Sequence, residues 1–351
     1  MKIFEYTAPK TLIVKEIQDI GEIGEQDVRI ETIISGISHG TEMNIYRGVA
    51  PFFNRKFDPA TRLFVPAGQT EVWTYPVKSS DPGVWYMGYA NVGKITEIGR
   101  QVKNLQPGDI VYSHSPHQSQ VIRRGEDVVR LPNSVKPESG IFFNLLMTAY
   151  NGILDSEIKL GDTVVVSGLG VLGQLVAQLA KLSGAGQVIG IDLHDSRLNA
   201  ALENGIDAVF NATHRQDTAY EIRQRTRNKG ADVVIEVTGN HRALNEAIRI
   251  AAPDTTVTAL GWYQGPGTAL ELSEEFHHNR IRIRSSHTAR TSPSINHMWN
   301  SERKRDQGLE LLEKLRLENL ITHKIRFDDI ALAYETIDQR PETVIQIALT
   351  Y

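Results

Sequence analysis

The rhythm of hydrophobic and polar positions changes twice along the chain. Up to about Pro132 the apolar positions come in short runs broken by turns. In "DVRIETII", Val28, Ile30, Thr32 and Ile34 fall on alternate positions, which predicts a strand with one buried face. "VGKITEIGRQVKNLQPGDIVYSH" places Gly93, Gly99 and a Pro107-Gly108-Asp109 turn between β-branched runs, so further short strands are expected there. From about Leu160 to Trp262 the strand-like runs "DTVVVSG", "QVIGIDL", "DAVFNA", "ADVVIEVTG" and "TTVTALGW" alternate with the helix-like runs "VLGQLVAQLAKLSG", "SRLNAALENG", "AYEIRQRTRNKG" and "RALNEAIRIAA". Strand and helix in turn predict a parallel, doubly wound sheet. The last third is mixed. Its charged segment "SERKRDQGLELLEKLRLENL" predicts a helix with Leu309, Leu312 and Leu315 on one stripe. Between Gly48 and Gly88 the Val49–Met87 segment is rich in aromatics and prolines and keeps no period. Such a stretch predicts a packed hairpin, a subunit contact or an active-site lid.

Length and composition narrow the class. The chain has 351 residues, room for two domains. A formal charge of −4 argues against a nucleic-acid partner or an anionic membrane surface. The basic clusters "RIRIRSSHTAR" and "SERKRDQ" are read as solvated faces. No apolar run approaches the roughly 18 residues of a membrane span, and the start "MKIFEYTAPK" has no apolar signal core. A cytoplasmic protein is the expectation. There are no cysteines, which excludes disulfides and thiolate-bound metal.

Two stretches carry candidate chemistry. "VVVSGLGVLGQLVAQLAKL" contains Gly168-x-Gly170-x-x-Gly173 after an apolar strand and at the start of a helix. A second strand, "VIGID", ends in Asp192, nineteen residues after Gly173. Gly168 permits a tight turn, Gly170 lets a pyrophosphate approach the backbone, and Gly173 lets the helix sit close to the strand. Asp192 would accept hydrogen bonds from ribose hydroxyls and repel a 2′-phosphate, which selects NAD(H) over NADP(H). The other stretch is "SGISHGTEMNIYRG", where a strand delivers His39, Thr41, Glu42 and Asn44 towards a possible site.

With "GYANVGKITEIG", "LQPGDIVYSH", "FFNLLMTAYNGI", "VVIEVTG" and "ITHKIRFDDIALAYETI" added to these, the chain resembles the medium-chain dehydrogenase/reductase superfamily over nearly its whole length. The resemblance implies an α/β protein: a GroES-like β domain built from both chain ends, around an inserted Rossmann doubly wound domain, with the active site between them. The boundaries expected are 1–148 with 287–351, and 149–286. The nucleotide site is expected at Gly168, Leu169, Gly170, Val171, Leu172, Gly173, Asp192, Arg197, Thr238 and Gly261.

The departures from the family carry information. Zinc-binding members have Cys where this chain has His39, His where it has Tyr89, and Cys or a carboxylate where it has Asn144; Gly-His-Glu reads Gly88-Tyr89-Ala90. The four-cysteine lobe is also missing. Tyr and Asn are poor zinc ligands, so no metal is expected. Hydride transfer still needs a group to take or give the hydroxyl proton. His39 titrates in the right range, and Tyr89 is a phenol donor to a carbonyl oxygen. By resemblance Thr41 stands where a hydroxyl proton relay starts, Glu42 is a carboxylate that orients a neighbour, and Asn44 replaces a relay histidine with an amide. Asn144 is a candidate partner for a substrate hydroxyl. Thr41 and Glu42 have the alternative of capping the following turn. His114 and His117 in "SHSPHQSQ" are read as an exposed loop. The reading is a zinc-independent, NAD-dependent dehydrogenase of a secondary alcohol, acting on a polar small molecule and forming a homodimer. A zinc-free quinone or enone reductase and a catalytically inactive dinucleotide-binding protein are the alternatives.

Overall fold

The computed structural model describes residues 1–18, 21–66, 68, 72–80, 87–214, 217–288 and 290–351. The chain forms two compact units, Met1–Asn144 with Ile321–Tyr351, and Leu145–Leu320.

The first unit opens with β1 (Lys2–Ala8), β2 (Thr11–Glu16) and β3 (Asp27–Gly36), followed by the short helix α1 (Glu42–Tyr46). Then come β4 (Arg55–Asp58), β5 (Leu63–Pro66), β6 (Val77–Lys78), β7 (Asn91–Ile98), β8 (Ile110–Ser113), β9 (Gln120–Arg124), β10 (Val128–Arg130) and α2 (Pro137–Gly140). Helix α3 (Phe143–Ser156) leads into the second unit, which holds β11 (Thr163–Ser167), α4 (Val171–Leu182), β12 (Gln187–Asp192), α5 (Asp195–Glu203), β13 (Ala208–Asn211), α6 (Thr218–Arg225), β14 (Val233–Glu236), α7 (His241–Ile250), β15 (Thr256–Ala259), β16 (Arg282–Ser285) and α8 (Ser301–Lys314). The chain then returns through β17 (Ile321–Arg326), α9 (Ile330–Gln339) and β18 (Gln346–Thr350).

In the first unit, the main sheet has the order β10-β8-β7-β3-β18-β17, and β9 also pairs with β3. The alternation in β3 is realised: Val28, Ile30, Thr32 and Ile34 are buried while Glu31 and Ile33 are exposed. Val28 and Ile30 meet Ile95, Val111 and Val121 in one core cluster. A second cluster gathers Phe4, Tyr6, Met43, Ile45, Phe327, Ile330 and Tyr334, so α1 and α9 share one apolar filling. Within Val49–Met87, β4 and β5 form a hairpin, and Phe52 and Phe53 stack on Trp73 and Tyr75 at 5.6 and 5.0 Å between centroids. Residues 67, 69–71 and 81–86 of that segment lie outside the described residues.

The second unit is the doubly wound sheet that the pattern predicts. Its six strands run β13-β12-β11-β14-β15-β16, every pair parallel. The strand order reverses beside β11, and in open α/β sheets ligands bind beyond the carboxyl ends of the strands at that point. The turn after β11 is the Gly168–Gly173 stretch. Among the described residues no helix is long and apolar enough to cross a membrane.

Residues 287–320 belong to this second unit, so the second passage falls at Leu320–Ile321 and not at the expected 286/287. Buried hydrogen bonds hold the stretch there. Asp155 accepts from the Ser286 hydroxyl at 2.7 Å and from Ser292 N at 2.7 Å, and Asn151 Nδ2 donates to the carbonyls of His287 and Arg290. Gln178 exchanges two bonds with the backbone of Arg316. Lys304, inside a segment read as a solvated charged face, is 8% exposed and donates to Thr291 at 3.0 Å. A lysine can enter a core when hydroxyl and amide oxygens receive its ammonium. Asp155→Ala leaves the Ser292 amide and the Ser286 hydroxyl without their acceptor. It is expected to cost about 3 kcal/mol, read as a lower urea midpoint of the first unfolding transition.

Candidate active site

The catalytic candidates of the first unit gather where β3 ends and α1 begins. β3 delivers Ser35, then the chain turns through Ile37, Ser38 and His39 into α1. Thr41 occupies the cap position of α1 but makes no side-chain cap bond. Glu42, the first residue of the helix, instead reaches back to the loop before it: its Oε1 accepts from Ser38 N at 2.6 Å. Glu42 is fully buried. Its Oε2 accepts from the Tyr334 hydroxyl and lies 2.9 Å from His117 Nε2. The carboxylate therefore meets three donors, which is what a buried carboxylate requires.

Tyr89 follows Gly88 and is 6% exposed. Its hydroxyl donates to Ser38 Oγ, its carbonyl accepts from the Tyr112 hydroxyl at 2.6 Å, and its ring stacks on His114 at 5.6 Å. Burial pushes the phenol up to about 12, with Glu42 adding to the rise and hydrogen bonds to Ser38 and Thr41 opposing it. Tyr89 is thus a neutral hydrogen-bond donor and not a base. Ser38, Thr41, Glu42 and Tyr89 form one hydrogen-bonded cluster. His39, half-buried, directly follows Ser38, and Asn144 is half-buried at the start of α3. Asn44 is buried, and its carbonyl closes the end of α1 by accepting from Val49 N and Ala50 N.

His117 corrects the exposed-loop reading of "SHSPHQSQ". His114 is exposed, but His117 is fully buried, with Nδ1 2.7 Å from Ser35 Oγ. Sequence reasoning also passed over Ser38 and Ser35. The available signal was small: two serines, each following an isoleucine, where a strand runs into a turn.

The nucleotide candidates lie in the second unit. Gly168 has φ +95°, a conformation that favours glycine, and a Cβ there would overlap the Thr238 methyl. A Cβ on Gly173 would overlap Gly168 O, so glycine is what lets α4 start against the turn. Gly170 opposes nothing within 4 Å: its space is open. It precedes α4, whose start carries no side-chain cap. Backbone N–H groups left over at such a start suit a phosphate. Leu169 is buried, Val171 is buried and Leu172 is half-buried, so the two leucines and the valine shape the turn from within.

Asp192 ends β12 and is 7% exposed. Its carboxylate accepts from Leu169 N at 2.7 Å, Leu193 N at 2.7 Å and His194 N at 3.0 Å. It ties the glycine turn to the next loop and keeps about one of its four lone-pair sites for a ligand. Arg197 stands 3.7 Å away. On the other side of β11, Thr238 donates from its backbone N at 2.7 Å and from its hydroxyl to Glu236, which also receives Gly239 N and the Tyr263 hydroxyl. Burial lifts the Glu236 carboxyl above its usual pKa, against these four donors. A Cβ on Gly261 would overlap Gly239 N. Gly168, Thr238 and Gly261 are therefore neighbours, as expected of one site, and Glu236 beneath them was not foreseen. Its signal was a charged residue inside the apolar run "VVIEV".

The residues fit a dinucleotide: an open glycine, an uncapped helix start and an acidic strand end. They do not fit zinc. His39, Tyr89 and Asn144 offer one imidazole, a phenol that holds its proton to about 12 and an amide. Among the described residues, no three of His, Cys, Asp and Glu come together as a ligand group.

Comparison with known proteins agrees with this geometry. Residues 171–301 match the zinc-binding dehydrogenase family. The chain is 29% identical over 357 aligned positions to a D-guloside 3-dehydrogenase of Shigella flexneri, with 100% of both chains covered. It is 26% identical over 349 positions to an L-threonine 3-dehydrogenase of Pyrococcus abyssi, covering 90% of this chain and 89% of that one. A galactitol-1-phosphate dehydrogenase structure from Escherichia coli superposes with a TM-score of 0.78 over 100% of both chains at 19% identity, a likeness of fold. On the glycine turn, the parallel sheet and these relatives together, the chain is a homologue of alcohol and polyol dehydrogenases of the medium-chain type, with its residues 171–301 matching the zinc-binding dehydrogenase family.

Proposed function

We propose that the chain is a zinc-independent, NAD(H)-dependent dehydrogenase that interconverts a secondary alcohol of a polar, polyhydroxylated substrate and its ketone. The observation that carries this reading is the Tyr89–Ser38–Glu42 cluster: a neutral phenol held through Ser38 by a buried carboxylate, with Tyr89 itself at a position where zinc-binding members of the resembled family have a ligand. The relative named D-guloside 3-dehydrogenase, matched end to end, supports a glycoside-like secondary alcohol as substrate.

The nucleotide would be held by the Gly168–Gly173 turn, Asp192, Arg197, Thr238 and Gly261. Bound there, NAD supplies the hydride acceptor for alcohol oxidation. The remaining work belongs to side chains of the first unit. Oxidation releases the hydroxyl proton, and His39, with an unperturbed imidazole pKa of about 6.5, is the group able to take it near neutrality. With substrate bound, the Ser38 hydroxyl turns to donate to the Tyr89 oxygen, and the phenolic O–H so released donates to the carbinol or carbonyl oxygen and stabilises it without changing the charge of Tyr89. Thr41 passes the proton on, Glu42 orients Ser38, and Asn144 receives a neighbouring substrate hydroxyl. A two-fold dimer completes the reading. β16 is an edge strand of the parallel sheet, and pairing it with a second copy would cover its free edge.

The cofactor assignment is tested with Asp192→Asn, which removes the charge and keeps one of the two acceptor oxygens, with the melting temperature read beside the affinities to register any loosening of the turn. Calorimetry is expected to show wild-type protein preferring NAD(H) over NADP(H), and the variant narrowing the gap by at least about tenfold. Equal wild-type affinities would refute the assignment.

Proton chemistry is tested on protein dialysed against a chelator, which is expected to keep its turnover with a panel of polyols and glycosides. His39→Asn should lower kcat by about 10²–10⁴-fold and remove the ionisation near neutrality from the pH profile, while NAD affinity stays unchanged. Tyr89→Phe should lower kcat without removing that ionisation. Turnover lost on dialysis and restored by zinc sinks the metal-free reading. Full activity in both variants favours a quinone or enone reductase, and no turnover on any substrate favours an inactive nucleotide-binding protein.

Light scattering at micromolar concentration is expected to give the mass of a dimer. A monomer there removes the edge-pairing proposal.

A further inference from the structure

His117 lies in the loop between β8 and β9, outside the residues assigned to the reaction, yet it touches both stretches that carry them. Its backbone N donates to Met87 O at 3.1 Å. Gly88, with φ +117°, lies flat against it: a Cβ there would stand 2.7 Å from His117 N and 2.9 Å from ring Cδ2. The glycine before Tyr89 thus makes room for this imidazole. On the other side, Nε2 meets Glu42 Oε2 at 2.9 Å, and Nδ1 meets Ser35 Oγ at 2.7 Å. Ser35 Oγ is also 2.8 Å from the Tyr351 hydroxyl. The network is satisfied with Nε2–H donating to Glu42 and Nδ1 accepting from Ser35.

Follow the bonds outward from the ring. Glu42 Oε1 holds Ser38 N, and Ser38 Oγ receives the Tyr89 hydroxyl. The backbone before Tyr89 leans on the ring itself. Tyr89 is therefore located at both ends by one buried imidazole: at its backbone through Met87 and Gly88, at its hydroxyl through Glu42 and Ser38.

We propose that His117 is the positioning residue of the proton-handling cluster, acting through Glu42 and Ser38 to hold the Tyr89 hydroxyl where the substrate oxygen is received. The inference rests on the reading that Tyr89 serves the reaction. It assigns His117 no contact with substrate or cofactor.

Two substitutions separate positioning from bulk packing. In His117→Gln the amide reaches the place of Nε2 and still donates to Glu42. In His117→Asn the shorter amide reaches only the place of Nδ1 and serves Ser35. Both remove the ring and introduce a primary amide, so losses from packing should be similar. Partners that orient metal-ligating side chains typically contribute about 10–100-fold in activity, and the same scale is expected for a group that orients a reacting phenol. His117→Asn is expected to lower kcat by that factor with NAD(H) affinity unchanged, and His117→Gln to recover the larger part of it, while the two melt at similar temperatures. Ser38→Ala, which keeps Ser38 N on Glu42 and removes the oxygen that receives Tyr89, should reproduce the loss, and it carries the test if His117→Asn does not fold.

Equal kcat in the two His117 variants overturns the proposal, whether both are intact or both lost with their melting temperature. So does an unchanged kcat in Ser38→Ala. Tyr89→Phe shows which idea failed. Full activity there overturns the role of Tyr89 and the positioning with it. A large loss there, beside His117 variants that match each other, overturns His117 alone.

Discussion

A carboxylate taken out of water must be surrounded by donors or it destabilises the fold, and this molecule uses that requirement to set its loops. Glu42 is fully buried and collects Ser38 N, His117 Nε2 and the Tyr334 hydroxyl. These partners come from β3's end, from the loop before β9 and from α9, so one side chain draws three remote parts of the first unit to one point. The second unit repeats the device. Asp192 gathers three backbone N–H groups around the glycine turn, Glu236 holds Thr238 and Gly239, and Asp155 holds Ser292. In each case the acceptor is a carboxylate and at least one donor is a loop backbone. Such a bond fixes the path of the chain and not only the position of a side chain.

Loops need that help because they have no ladder of their own. On the proposed reading the N–H groups where α4 starts are offered to a ligand, so the turn has few bonds of its own. It is held from outside instead, by Asp192 on the Leu169 amide. The side chain that the sequence marks as a reader of the ribose is thereby also part of the scaffold. Replacing it with a short residue would remove every acceptor of the turn, whereas the isosteric amide keeps one oxygen, enough for either the Leu169 N–H or the Leu193 and His194 pair.

What the sequence revealed and what it hid divide along the same line. The burial of Val28, Ile30, Thr32 and Ile34 was legible because a strand repeats every two residues and both signals lie within eight positions. The doubly wound sheet was legible for the same reason, and the glycine spacing because steric demands at a helix start are local. His117 was not. It sits in a polar run without period, and its burial depends on Ser35 and Glu42, 82 and 75 residues earlier. Lys304 was hidden likewise: neighbouring charges on α8 are exposed, and only the partners Thr291 and Asn151 show why this one is not. Those long-range bonds also moved the second unit boundary past the place where the strand–helix rhythm stops.

The cluster at Tyr89 can be set beside what a metal would do. A zinc ion orders its ligands with its own charge and polarises the oxygen bound to it. On the proposed reading this chain has neither service, so order must come from hydrogen bonds and polarisation from a donor. A donor helps most when it is fixed in advance, because then no reorganisation is needed as charge develops on the substrate oxygen. A phenol on a half-mobile side chain would not meet that condition. Tyr89 meets it by being buried, stacked on His114 and bonded to Ser38, at the cost of a pKa pushed to about 12 that removes it from service as a base. The division of labour follows from this single fact. The group that is best held is the one that cannot titrate near neutrality. On the proposed reading the proton is therefore handled by a neighbour, and His39, next to Ser38 in the chain and only half-buried, is the side chain proposed for it.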